Sequence, residues 1–167
     1  MAVSADSVPA MPELPDDARC RILIADPDFG DPAQLIAGLD KLFAQFAREQ
    51  RLAAWDIRSA HDGAALVAAW TPDAPLSGCS HDKLNGVVAL HETRTGCRIL
   101  AAPPLRIRVG GCWRCVDRAG LRAMADRSTP LIDHRLERLG DWRRRGLTTV
   151  GESWAAALLA TRPGAVA

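Results

Sequence analysis

Ala54-Trp55-Asp56-Ile57-Arg58-Ser59-Ala60-His61-Asp62-Gly63-Ala64-Ala65-Leu66-Val67-Ala68-Ala69-Trp70-Thr71 is the stretch on which the fold turns. Its Asp-Gly pair favours the positive backbone dihedrals of a tight hairpin turn, so residues 54–60 and 65–71 read as two antiparallel strands. Side chains alternate along a strand, so Trp55, Ile57 and Ser59 point one way, and Leu66, Ala68 and Trp70 share a face of the return strand. Each strand can then cover a helix.

The helix lies just upstream. Asp31-Pro32-Ala33-Gln34 places a carboxylate at N-cap, proline at N1 and glutamine at N3, which satisfies orphan amides and pre-sets the first dihedral. Leu35, Ile36, Leu39, Leu42, Phe43 and Phe46 follow as one apolar stripe that ends near Gln50. Before it, Cys20 to Ala25 is a short apolar run, interrupted by Arg21 and closed by Asp26-Pro27-Asp28, and it suits a first buried strand.

Downstream, Leu84, Val87, Val88 and His91 fall on one face of a second helix that starts at Cys79 and stops at Gly96. Arg98 to Ala101 resumes a strand, Pro103-Pro104 interrupts it, and Leu105, Ile107 and Val109 alternate with Arg106 and Arg108 before a Gly110-Gly111 turn. Trp113 to Val116 pairs back. Strand, helix, strand, strand, helix, strand is the order of a split βαβ, ferredoxin-like α+β core, with two helices on one face of an antiparallel sheet spanning about Arg19 to Val116. A C-terminal elaboration follows. Asp117 caps a short helix through Met124, Ser128-Thr129-Pro130 breaks the chain, Gly140 to Gly146 is too polar to be core, and Ser153 to Leu159 docks through Trp154, Leu158 and Leu159. Residues 1–17, with three prolines and almost no apolar period, read as a flexible lead-in outside the core. Residues 18–160 read as one domain and residues 161–167 as a flexible tail.

With 48% hydrophobic and 25% charged residues, the 167-residue chain has the make-up of a soluble globular domain. Its 21 basic and 20 acidic residues leave a net charge of +1, so no global field argues for nucleic acid, a membrane or an acidic substrate. There is no basic, apolar leader and no apolar run of about 18 residues, the length that spans a bilayer. Five cysteines, an odd number scattered through strands and a helix start, read as reduced thiols and place the protein in the cytoplasm.

Chemistry concentrates at Ser77-Gly78-Cys79-Ser80-His81-Asp82. The first amides of a helix have no intrahelical partner and its dipole is positive there, so a thiolate or a bound anion is stabilised. Cys79 is then a reactive thiol, Ser77, Gly78 and Ser80 line a nest for a small anionic ligand, and His81 or Asp82 moves a proton. The plain alternative is capping: small residues suit a tight loop, serine or aspartate is an ordinary first-turn residue, and cysteine is often a small apolar filler. A phosphatase would need arginine six residues after the cysteine, where this chain has Asn85.

This segment resembles one found before the second helix of a group of small bacterial proteins with the pattern Ser-Gly-Cys-Ser-x-Asp, some of which bear an ATP-binding-cassette ATPase label. The likeness runs from about Glu13 to Ala160 and includes Thr129-Pro130-Leu131-Ile132-Asp133 and Glu152-Ser153-Trp154. It implies that Cys79 belongs to a motif, and it implies no activity. The ATPase label conflicts with the chain itself, which lacks the Gly-x-x-x-x-Gly-Lys-Ser/Thr loop that cradles phosphates.

Other constellations are weaker. Cys112 and Cys115 have the spacing of a zinc knuckle or a redox pair, but residues three apart on a strand face opposite sides, and only Cys79, His81 and Cys97 are candidates for further donors, so no metal or other cofactor is expected. His91 on the apolar stripe reads as a hydrogen-bonded core residue, and His61 as part of the hairpin turn. Arg135, Arg138, Arg143, Arg144 and Arg145 surround Trp142, a pattern that tracks a nucleic-acid backbone or an acidic partner. Glu137 and Asp141 dilute that charge, so a solvated helix face or tail is the favoured reading and nucleic acid the alternative.

Overall fold

In the computed structural model, residue 11 and residues 13–160 are described. Most of the lead-in and the whole tail therefore lie outside the described residues. Strands β2 (Ala54–Ala60) and β3 (Ala65–Thr71) form the expected hairpin, with Ala60 opposite Ala65. His61, Asp62 and Gly63 take positive φ values of 52°, 55° and 81°, and the Ala64 amide closes the turn on the His61 carbonyl. β1 (Arg19–Ile24) pairs antiparallel with the other side of β3, giving the order β1-β3-β2.

Helices α1 (Pro32–Arg48) and α2 (Gly78–Thr95) lie on the same side of this sheet. Asp31 caps α1 by accepting from the Ala33 amide at 3.2 Å, and the stripe Leu35, Leu39, Leu42, Phe43 and Phe46 is buried against Leu66, Ala68 and Trp70 of β3. Gly38 lets the helices approach, since a Cβ there would meet Val87 at 3.0 Å. α2 ends at Gly96, whose φ of 77° suits glycine. His91 is buried on its inner face, 2.6 Å from the Phe29 carbonyl.

After α2 the chain departs from the expected single sheet. Residues 98–101 form no strand: Arg98 makes one antiparallel bridge to Asp26, and the Ile99 and Leu100 amides turn back to Glu92 Oε1 at 2.5 and 2.8 Å. With those donors held by a helix carboxylate, and Pro103-Pro104 unable to donate, the chain cannot extend the ladder beside β1. β4 (Leu105–Val109) and β5 (Cys112–Val116) do pair through the Gly110-Gly111 turn, but they join β6 (Pro130–Ile132) and β7 (Leu147–Thr149) in a second antiparallel sheet ordered β5-β4-β6-β7. The protein is thus a mixed α+β fold with two antiparallel sheets. Asp117 caps α3 (Arg118–Met124) by accepting from the Gly120 amide at 2.7 Å. α3 and α5 (Ala156–Leu159) pack on the second sheet, with Trp154, Leu158 and Leu159 against its core. Arg106 on β4 is 2% exposed and joins the sheets, its Nη1 donating to the Ala25 and Pro27 carbonyls at 2.8 and 2.9 Å.

Two further expectations are corrected on the far side of the first sheet. Cys20, Ile22 and Ile24 of β1, with Ala65, Val67 and Ala69 of β3, present an apolar face there that must be covered. α4 (Leu139–Arg145) covers it, so the segment read as too polar for core buries Leu139, Gly140 and Trp142, while Arg144 and Arg145 are exposed and Arg143 is half-buried against the Met11 and Leu14 carbonyls. Met11 and Leu14 join the same cluster, so the core extends into the lead-in.

Burial in this cluster, together with the Asp141 and Glu137 carboxylates, pushes the Cys20 thiol up to about 12. The unfolded thiol ionises near 8.5 while the folded one keeps its proton, so stability present below pH 8.5 falls as pH rises towards 12, by about 1.4 kcal/mol per pH unit at most. Urea unfolding at neutral and alkaline pH is expected to show this loss in the native chain and a smaller one in Cys20→Ala. Equal losses in both would disprove it.

Candidate functional site

The site is built at the first turn of α2, where the local sequence dictates the cap. Ser77 is extended at N-cap, its hydroxyl accepting from the Ser80 amide at 3.2 Å and lying 2.9 Å from the Ser80 hydroxyl. Ser80 is buried, and its hydroxyl accepts from Arg51 Nη1 at 2.8 Å. Arg51 lies just past the end of α1. Its guanidinium is held over the Phe46 ring at 5.7 Å and against Glu49 at 2.8 Å, and Glu49 also lies 4.0 Å from Lys83. Donation from Gln45, then Lys83, Arg51 and Arg48, keeps the Glu49 carboxyl below its usual range, so it stays ionised and holds both cations in place.

Cys79 and Gly78 are exposed, and nothing lies within 4 Å of a Cβ placed on Gly78. The amides of Gly78 and Cys79 have no partner among the described residues, as expected for the first two positions of a helix. Asp82 is exposed one turn beyond Cys79 on the same side of α2, where residues three apart are neighbours. His81 is separated from them. It lines a cavity of about 680 Å3 that Cys79 does not reach. Ser77, Ser80 and Arg51 are therefore brought together, while His81 and Cys79 address different spaces and are not placed as base and nucleophile. Ser77→Ala removes the cap and is expected to cost about 1 kcal/mol in urea unfolding. An unchanged midpoint would mean that the hydroxyl pair adds nothing.

Nothing in the sequence signalled Arg51, because its partner is 29 residues away. The cavity was equally illegible, although Arg21, a charge interrupting a buried strand, lines it and donates to Asn85 Oδ1 at 2.8 Å. His134 lines it too, and burial holds its imidazole below the ordinary range.

The remaining candidates are placed as follows. Cys112 is exposed and Cys115 faces inward on β5, its thiol donating to the Ala25 carbonyl at 3.3 Å. All five cysteines are free, and no cluster of three metal-ligating side chains occurs among the described residues. The arginine-rich segment is drawn inward. Arg138 binds Asp73 at 2.5 Å, Arg143 binds Asp16 at 2.6 Å, Arg144 binds Asp141 at 3.1 Å, and Arg135 stacks 4.5 Å above the Trp154 ring. His61 is buried in the hairpin turn between Trp113 and Trp142. No described helix is long and apolar enough to cross a membrane. No protein-family model, curated protein or solved structure matches the chain.

Proposed function

We propose that the first turn of α2 is a binding site for a small anion, with Cys79 as an exposed thiol at its rim. The observation that carries the proposal is Arg51 on Ser80, which puts a fixed cation beside the helix end that offers the Gly78 and Cys79 amides. The helix dipole and Lys83 add to the same field, against the carboxylates of Glu49 and Asp82. The likeness of residues 77–82 to the bacterial Ser-Gly-Cys-Ser-x-Asp segment supports a motif shaped for more than capping. The role is binding, since His81 is turned away from the thiol.

The order β1-β3-β2 with α1 and α2 on one side supports reading this layer as a ferredoxin-like unit, in which the bridge from Arg98 to Asp26 stands for the fourth strand. Five free thiols support a reducing, cytoplasmic setting. The second candidate role, an arginine-rich nucleic-acid surface, is weakened because Arg138, Arg143 and Arg144 already hold carboxylates of this chain.

Iodoacetamide labelling, followed cysteine by cysteine by mass spectrometry, tests the anion site. Inorganic phosphate is expected to slow labelling of Cys79 saturably without affecting exposed Cys112, and Arg51→Gln is expected to remove the effect. Equal slowing of both thiols, or none, would overturn the proposal.

A further inference from the structure

The edge of β1 that faces away from β3 is paired at both ends and open between them. The Cys20 amide donates to the Glu137 carbonyl at 2.9 Å, and Asp26 exchanges both backbone bonds with Arg98, at 2.8 and 2.9 Å. Backbone groups of a strand alternate between its two edges, so Ile22 and Ile24, which share the phase of Cys20 and Asp26, aim their N–H and C=O groups outward. No described residue meets them. They open into the cavity of about 680 Å3, a size that holds a short ligand.

The walls have a definite chemistry. Leu76, Ile99, Leu136 and the exposed Leu100 supply apolar surface on either side of the edge. Arg19, Arg21 and Arg135 line the cavity together with one carboxylate, Glu137, and Arg19 is already held by Glu137 at 2.9 Å and by Asp73 at 3.3 Å. Arg21 has a neutral amide as its partner and Arg135 an indole ring, so among the described residues neither positive charge is neutralised by a carboxylate. His81 and His134 complete the polar lining.

We propose that this groove binds an extended, acidic segment of a partner protein, which adds to the first sheet as a strand by pairing with Ile22 and Ile24. Backbone ladder bonds hold such a segment, and alternate side chains give it specificity. Its apolar side chains pack on Leu76, Leu100 and Leu136, and its carboxylates meet Arg21 and Arg135. The groove is distinct from the proposed anion site: His81 lines it from the first turn of α2, but Ser77, Gly78, Cys79, Ser80 and Arg51 do not.

The test uses the full chain and a fluorescein-labelled peptide of alternating glutamate and valine, with binding read by anisotropy and amide exchange by NMR. The expected result is saturable binding, slowed exchange at the Ile22 and Ile24 amides, and affinity at least about tenfold lower for the peptide with lysine in place of glutamate. N-methylation of the peptide's ladder-facing amides should abolish binding, whereas N-methylation of the outward-facing ones should not. Arg21→Gln and Arg135→Glu should each weaken binding, and Arg135 is exposed, so its replacement keeps the test open if the Arg21 variant does not fold. Unchanged exchange at Ile22 and Ile24, indifference to N-methylation, or equal binding of the acidic and basic peptides would overturn the proposal. So would a dimer, formed without peptide, that protects the same two amides, since the occupant would then be a second copy of the chain.

Discussion

Trp142→Ala is expected to destabilise the fold by about 3–5 kcal/mol, read as a lower midpoint in urea unfolding. Trp142 is fully buried at the centre of the cluster that closes the far side of the first sheet, with its ring edge-on to His61 at 5.5 Å between centroids. Part of its surroundings, Cys20, Ile22 and Ile24 of β1 and Ala65, Val67 and Ala69 of β3, is fixed in the sheet, which limits collapse into the space. The loss is large against the roughly 5–15 kcal/mol that holds a domain together. Trp142→Phe should cost less than its volume suggests, because the indole N–H has no hydrogen-bond partner among the described residues and its removal relieves an unsatisfied donor. Gly146→Ala gives an independent check: a Cβ there would overlap the Trp142 ring and also its backbone carbonyl at 2.6 Å, so the substitution should be harmful in the native chain and less harmful, though not neutral, beside Trp142→Ala. A Trp142→Ala midpoint within error of the native one would show that α4 is not part of the core.

On the opposite side of the sheet, Phe43→Ala is expected to cost a similar amount, about 3–5 kcal/mol. Phe43 is fully buried, edge-on to Phe46 with centroids 5.9 Å apart and tilted against Trp70 at 5.8 Å, so its loss removes aromatic contacts as well as area. Phe43 and Trp142 belong to different clusters separated by the sheet, and their effects should therefore add. Chemical denaturation of the two single variants and the double variant checks this. A double variant much less destabilised than the sum would mean that the two faces yield as one unit.

The candidate site was partly legible. A helix start at Cys79 was legible from the small polar residues before the apolar stripe, and the structure begins α2 one residue earlier, at Gly78, with Ser77 as the cap. The cation that completes the first turn was not legible, because Arg51 reaches Ser80 only after α1 has been laid beside α2. His81 read as a partner of Cys79 because the two are close in sequence. Helical geometry separates them, since residues two apart face nearly opposite directions. The open edge of β1 had no sequence signal beyond Arg21.

By itself the sequence determined the local elements of this protein. Asp31, Ser77 and Asp117 cap helices, Asp62-Gly63 and Gly110-Gly111 turn hairpins, and the apolar stripe of α1 selects its buried face. These depend on backbone dihedrals and on contacts a few residues apart, which the residues involved specify wherever they occur. Only the tertiary structure decided that β4 and β5 build a second sheet, that Trp142 is core, and that β1 keeps an unpaired edge. The physical reason is that a strand offers the same donors and acceptors to any neighbour and an apolar face accepts any cover. The choice among neighbours rests on remote competitors, such as Glu92 holding the Ile99 and Leu100 amides, and no local pattern encodes them.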